Sequence, residues 1–206
     1  AIIDAVDSMI ERDIALIQEL ELDLKFIIET HIHADHITSA CPLKKSFPLA
    51  KIVIGIENTD AEACADIMVG EGHILPIGEH EIAAIETPGH TPGCMSYLVD
   101  DKVFTGDALF IRSTGRCDFQ GGSASTLYHS IHKLFKLPNS TLVYPGHDYN
   151  GFTVSTIGEE KEFNSLIRLD FDEKTFVKKV GNLNLEPPKK INTAVPANHS
   201  CGLIRN

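Results

Sequence analysis

Within six residues, His31-Ile32-His33-Ala34-Asp35-His36, the chain carries three imidazoles and a carboxylate, directly after the run Lys25 to Thr30 (KFIIET), which reads as a short buried strand. Histidines two apart on extended backbone point the same way. A following turn brings Asp35 and His36 toward the same point, so the spacing suits convergent ligation of a metal by imidazole and carboxylate. A fold that uses such a cluster must deliver it from the end of a strand, where loops after neighbouring strands can add further ligands. A loop of solvated histidines is the blander reading for a chain with ten histidines. It is the poorer one, because His and carboxylate clusters mark metal or catalytic sites by default.

Three more candidates follow strand-like runs. They are His90 in Thr87-Pro88-Gly89-His90-Thr91-Pro92-Gly93, Asp107 in Phe104-Thr105-Gly106-Asp107, and His147 in Tyr144-Pro145-Gly146-His147-Asp148. In each a glycine beside the candidate permits tight backbone geometry and nearby prolines fix the turn. Singly each is weak, since Gly-Asp after a strand is usually a turn. In this order they reinforce one another.

The hydrophobic pattern predicts an amphipathic helix over Ser8 to Leu20, from the spacing of Ile10, Ile14 and Ile17, and a second strand at Lys51 to Gly55. That is a β-α-β rhythm for the first quarter of the chain. Beyond it, Ile74 to Ile77 and Glu81 to Thr87 are short and alternating, which predicts antiparallel strands. Tyr97 to Val99 and Val103 to Thr105 flank the turn Asp100-Asp101-Lys102. A helix over Ala124 to Leu134 precedes a last strand at Thr141 to Tyr144, Gly158 to Lys179 reads as helical, and the rest, with Pro187, Pro188 and Pro196, as an extended surface tail. The expectation is one domain over residues 1–206, with residues 158–206 as a C-terminal helix and tail packed on it.

Composition narrows the function. A net charge of -11 argues against a protein whose main task is gripping nucleic-acid backbone. No apolar run approaches the roughly 18 residues needed to span a bilayer. The five cysteines, Cys41, Cys64, Cys94, Cys117 and Cys201, are odd in number and never spaced C-x-x-C, so neither a disulfide framework nor a thiolate zinc site is expected. A reducing compartment is, cytoplasmic in a bacterium or the mitochondrial matrix in a eukaryote.

The ordered set His-x-His-x-Asp-His, then His, Asp and His resembles the signature of the metallo-β-lactamase superfamily. The resemblance implies an α/β (α+β) fold, an αββα four-layer sandwich whose first strands would precede Ala1. That fold hosts many chemistries. The segments Ile111 to Gln120 (IRSTGRCDFQ), Tyr144 to Gly151 (YPGHDYNG) and Ala194 to Gly202 (AVPANHSCG) resemble those of the persulfide dioxygenases. That resemblance implies oxidation of glutathione persulfide by O2 to sulfite and glutathione at one Fe(II), held by His31, His90 and Asp107. His33, Asp35, His36 and His147 would then orient the ligands. In the alternative, a glyoxalase II-like thioester hydrolase with two Zn(II), His31, His33 and His90 hold one ion, Asp35, His36 and His147 the other, and Asp107 bridges. Only 59 residues follow His147, too few for the larger helical substrate domain this alternative leads one to expect. A non-catalytic sulfur-binding module is a third reading, and the intact ligand set speaks against it.

An acidic protein that binds anionic glutathione needs local cations, and Arg116 is the first candidate, Arg112 the second. A solvated arginine or a structural ion pair competes evenly for both. Tyr149 is a candidate catalytic and substrate-facing residue, with a structural tyrosine as the competing reading. Thr114 and Cys117 exchange the residues usual in the family, and Asn150 stands where His is common. Cys117 is expected to be a small core residue, and a homodimer is the assembly to test.

Overall fold

The computed structural model describes residues 1–183 and 185–203. By contact the chain divides into two units, residues 1–69 with 186–206, and residues 70–185.

The first unit is built on a four-stranded sheet of order β1 (Ile2–Ile3), β2 (Phe26–Ile28), β3 (Lys51–Gly55), β4 (Ile67–Val69), every neighbour parallel. Phe26, Ile27 and Ile28 are all buried, as a central parallel strand covered on both faces requires. α1 (Ile10–Glu19) crosses from β1 to β2 and buries Ile17 while Ile10 and Ile14 pack on the same cluster, which is the predicted stripe. A single turn of 3-10 helix, Asp7–Met9, stands where the pattern predicted the first turn of this helix. α2 (Ala40–Ser46) follows the histidine cluster and buries Ala40 and Leu43.

β2 ends at Ile28, two residues before the predicted end. Beyond it the Glu29 N–H still bonds Val53 O at 3.0 Å, but the Thr30 N–H turns to Asp4 Oδ1 at 2.7 Å. Because β1 and β2 are parallel, Asp4 and the histidine cluster leave the same edge of the sheet, the carboxyl ends where parallel sheets place their ligands.

The second unit holds a six-stranded sheet. Its members are β5 (Ile74–Ile77), β6 (His80–Glu86), β7 (Met95–Val99), β8 (Lys102–Gly106), β11 (Leu142–Pro145) and β12 (Ser155–Thr156), in the order β12-β11-β8-β7-β6-β5, with a small ribbon of β9 (Leu109–Phe110) and β10 (Ser113–Thr114). The β7–β8 hairpin turns through Asp100, whose φ of 52° suits an aspartate. β6 and β8 each run antiparallel to β7, and β11 runs parallel to β8, so β6, β8 and β11 all end at one edge. His90, Asp107 and His147 follow those three strands.

α3 (Ala124–Leu134) is capped by Ser123 and buries Leu127, Ile131 and Leu134 in a core with Leu109, Val143 and Phe176. The helical stretch predicted over 158–179 is two helices, α4 (Ile157–Phe163) and α5 (Glu173–Gly181). Asn164 separates them, because its Oδ1 accepts from the N–H groups of Leu166 and Ile167 and so competes with helix. The extended tail is a correction as well. α6 (Ile191–Asn198) forms in the first unit despite Pro196, with Ala194, Ala197 and Asn198 buried on one face, a case of packing overriding propensity. A disulfide, Cys64–Cys201, joins this segment to the turn before β4, against the expectation of none. The two cysteines are 137 residues apart, a pairing that spacing rules cannot reach. No helix among the described residues is long and apolar enough to cross a membrane.

Candidate metal centre

In the first unit the cluster hangs between β2 and α2. Thr30 Oγ1 donates to Asp4 Oδ2 at 2.8 Å and lies 2.9 Å from His31 Nδ1. With its one proton given to Asp4, the hydroxyl can only accept from the ring, so Nδ1 carries the proton and Nε2 the lone pair. Such a carboxylate-to-histidine relay fixes the tautomer of a metal-binding imidazole. His33 Nε2 sits 3.1 Å from Asp4 Oδ1 and 3.4 Å from Glu29 Oε2, all three side chains largely buried. Burial alone would lower the His33 pKa, but Asp4 and then Glu29 outweigh it and hold it well above the usual range. Asp4 is held below its ordinary value, the His33 charge prevailing over burial, while burial pushes Glu29 up.

The rings of His31, His33 and His36 lie next to one another in sequence, tilted by 51° and 38°, with centroids 4.1 and 4.2 Å apart. Ligand atoms of His33, Asp35 and His36 lie within 4.8 Å of one another, as do those of Asp4, Glu29 and His33. His36 Nε2 is buried and makes no hydrogen bond. A bound cation satisfies such an atom, so the donor set fits a metal on its own chemistry.

In the second unit the sheet edge gathers its candidates as the strand directions require. His90 Nδ1 donates to Arg116 O at 2.7 Å, which leaves Nε2 as the lone-pair nitrogen, the same tautomer as His31. His90 Nε2 is 3.7 Å from Asp107 Oδ2 and His147 Nε2 is 3.8 Å from Asp107 Oδ1. Both are long for hydrogen bonds, but two ligands of one ion at about 2.1 Å each stand roughly 3 to 4 Å apart. Gly146 is needed here: a Cβ on it would lie 2.6 Å from Asp107 Oδ1.

The predicted cations are both in ion pairs. Arg116 holds Asp118 through Nε and Nη2, each at 2.7 Å, lies over the Phe119 ring at 4.2 Å, and reaches Leu185 O. Arg112 binds Glu160, whose side chain is fully buried, and Glu159. Tyr149 is 79% exposed and its ring lies parallel to that of His147, centroids 5.7 Å apart. Cys117 is partly buried and its thiol is pushed up to about 12, by burial first and then by Asp118.

Sequence reasoning missed Asp4, Glu29 and Thr30. One signal could have found Asp4, since it follows the apolar pair Ile2-Ile3 as Asp107 follows β8.

Residues 1–147 match the model of the metallo-β-lactamase superfamily. The chain is 46% identical over 205 residues to the mitochondrial persulfide dioxygenase ETHE1 of Mus musculus and to that of Homo sapiens, covering 98% of this chain and 79% of each relative. Its structure resembles the crystal structure of ETHE1 from Myxococcus xanthus with a TM-score of 0.93 and 44% identity, over 98% of this chain and 88% of that one. The chain belongs to the persulfide dioxygenase family of the metallo-β-lactamase superfamily, and its mixed α/β fold is that superfamily's.

Proposed function

We propose that this enzyme oxidises glutathione persulfide with O2 to sulfite and glutathione, at one iron held by His31, His90 and Asp107. The near full-length likeness to persulfide dioxygenases carries the reading. Both oxygens of O2 and one from water enter the outer sulfur, and glutathione leaves as the thiol. The iron, when bound by two histidines and one carboxylate, supplies open coordination positions and redox chemistry for O2.

The chain's residues do the rest. Thr30 and Asp4 orient His31, and the Arg116 carbonyl orients His90, so each imidazole keeps a lone pair on Nε2. Asp107 supplies the charge that neutralises the cation, and His147 flanks it. Arg116 and Tyr149 are proposed to face the substrate, with Arg116 giving up part of its hold on Asp118 to a substrate carboxylate. Arg112, the second candidate cation, is already engaged by Glu159 and Glu160, and its role in this proposal is that structural ion pair. A reducing compartment and a homodimer belong to the same proposal.

One iron per chain in metal analysis, with O2 uptake on glutathione persulfide, is the expected result. Two zinc ions and no O2 uptake would overturn it. One observation favours a second reading, the glyoxalase II-like two-zinc hydrolase: the unbonded His36 Nε2 beside Asp35 suits a second ion. Anaerobic release of thiol from S-lactoylglutathione would identify it.

A further inference from the structure

The segment Ala194 to Gly202 has no part in the chemistry above, yet it holds the histidine loop and the residues leading into α2 through four hydrogen bonds. Asn198, 3% exposed, donates from Nδ2 to His33 O at 2.8 Å and to His36 O at 2.9 Å, and its Oδ1 accepts from the Thr38 N–H at 2.9 Å. All its donors and its acceptor oxygen are thereby used. Cys201 O accepts from the Cys41 N–H at 3.0 Å. Gly202, with φ of 86°, comes so near that a Cβ would stand 2.0 Å from Thr38 O. The loop from His31 to Ile37 contains no helix or strand, so the carbonyls of His33, buried, and His36, partly buried, depend on Asn198 for the bonds regular structure would supply.

We propose that Asn198 is a positioning residue for the metal centre, and that the Cys64–Cys201 disulfide is a thiol-sensitive latch that keeps it seated. The bridge ends three residues beyond Asn198, ties the segment to Cys64, and has its more accessible end at Cys64, since Cys201 is 2% exposed. A low-molecular-weight thiolate attacks the Cys64 sulfur, the S–S bond breaks, and Cys201 leaves as a thiolate that takes up a proton. A second thiol molecule then resolves the mixed disulfide, giving Cys64 thiol and the oxidised thiol dimer, two electrons passing to the protein. Released at that end, the segment holds the loop less firmly. The proposal rests on the reading of His31 as an iron ligand.

Asn198→Asp keeps the acceptor for the Thr38 N–H and removes both donors. Its expected effects are a 10- to 100-fold loss of iron affinity in chelator competition, faster hydrogen exchange at residues 33–38 in metal-free protein, and an altered electron paramagnetic spectrum of the iron–nitric oxide adduct. Cys64→Ala, or wild type treated with dithiothreitol, shifts the same readouts in the same direction but less, and dithiothreitol adds nothing to Cys64→Ala. Unchanged iron affinity and unchanged loop exchange in Asn198→Asp overturn the positioning role, and if that variant does not fold, the same null result in Asn198→Gln does so, while a null result in Cys64→Ala overturns the latch. A normal response of Cys64→Ala with none to dithiothreitol overturns the latch. His31→Ala is the control: if it keeps its iron, the ligand reading fails, while the exchange data still decide whether Asn198 holds the loop.

Discussion

At the residue scale, the tautomers of His31 and His90 suit the ligand role proposed for them. Each has Nδ1 committed to an acceptor oxygen at 2.9 and 2.7 Å, and His36 shows a looser version of the same pattern, with Nδ1 3.2 Å from Asp35 Oδ2 and Nε2 buried without a hydrogen bond. His31→Ala and Asp107→Asn are therefore expected to abolish iron binding, and His36→Ala to weaken it less, in equilibrium metal-loading measurements. Equal loss of two metals in all three variants returns the two-zinc reading. A second expectation concerns Cys117. With its pKa pushed up to about 12, the thiol stays neutral through the physiological range and becomes nucleophilic only above it. Alkylation of native protein at pH 8 should label Cys117 at roughly one thousandth of the rate of an exposed thiol. Mass spectrometry of the labelled peptide, with and without denaturant, checks this.

At the element scale, α4 is tied to the β9–β10 ribbon by one buried carboxylate. Glu160, on α4, takes the Arg112 guanidinium, the Arg112 N–H at 2.7 Å, Ser155 Oγ at 2.6 Å and Asn164 Nδ2 at 2.8 Å. Removing the arginine strands that charge, so Arg112→Ala should cost about 3 kcal/mol in urea unfolding, with KM for the persulfide unchanged. A raised KM at unchanged stability would give Arg112 the substrate role. The pattern of apolar residues made α1, α3, β3 and the β7–β8 hairpin legible, since each is specified within its own span. The break at Asn164 and the helix through Pro196 were not, because the first depends on one side chain competing for backbone N–H groups and the second on what the buried face meets.

At the scale of the whole molecule, the Cys64–Cys201 bridge closes a long loop, and its reduction removes a constraint on the unfolded chain. Urea unfolding with and without reductant should show a loss of about 2 to 4 kcal/mol. The family, the mixed α/β fold and the seven candidate ligands were readable from the chain alone because each is a short motif at a strand end, and strand direction then sends His90, Asp107 and His147 to one edge. Tertiary structure alone decided what supports them. Asp4 reaches Thr30 across 26 residues, Arg112 meets Glu160 across 48, and Asn198 holds His33 across 165. Periodicity and local spacing describe neighbours along the chain, whereas these pairings are fixed by the burial of polar groups that must be satisfied wherever the folded chain brings a partner.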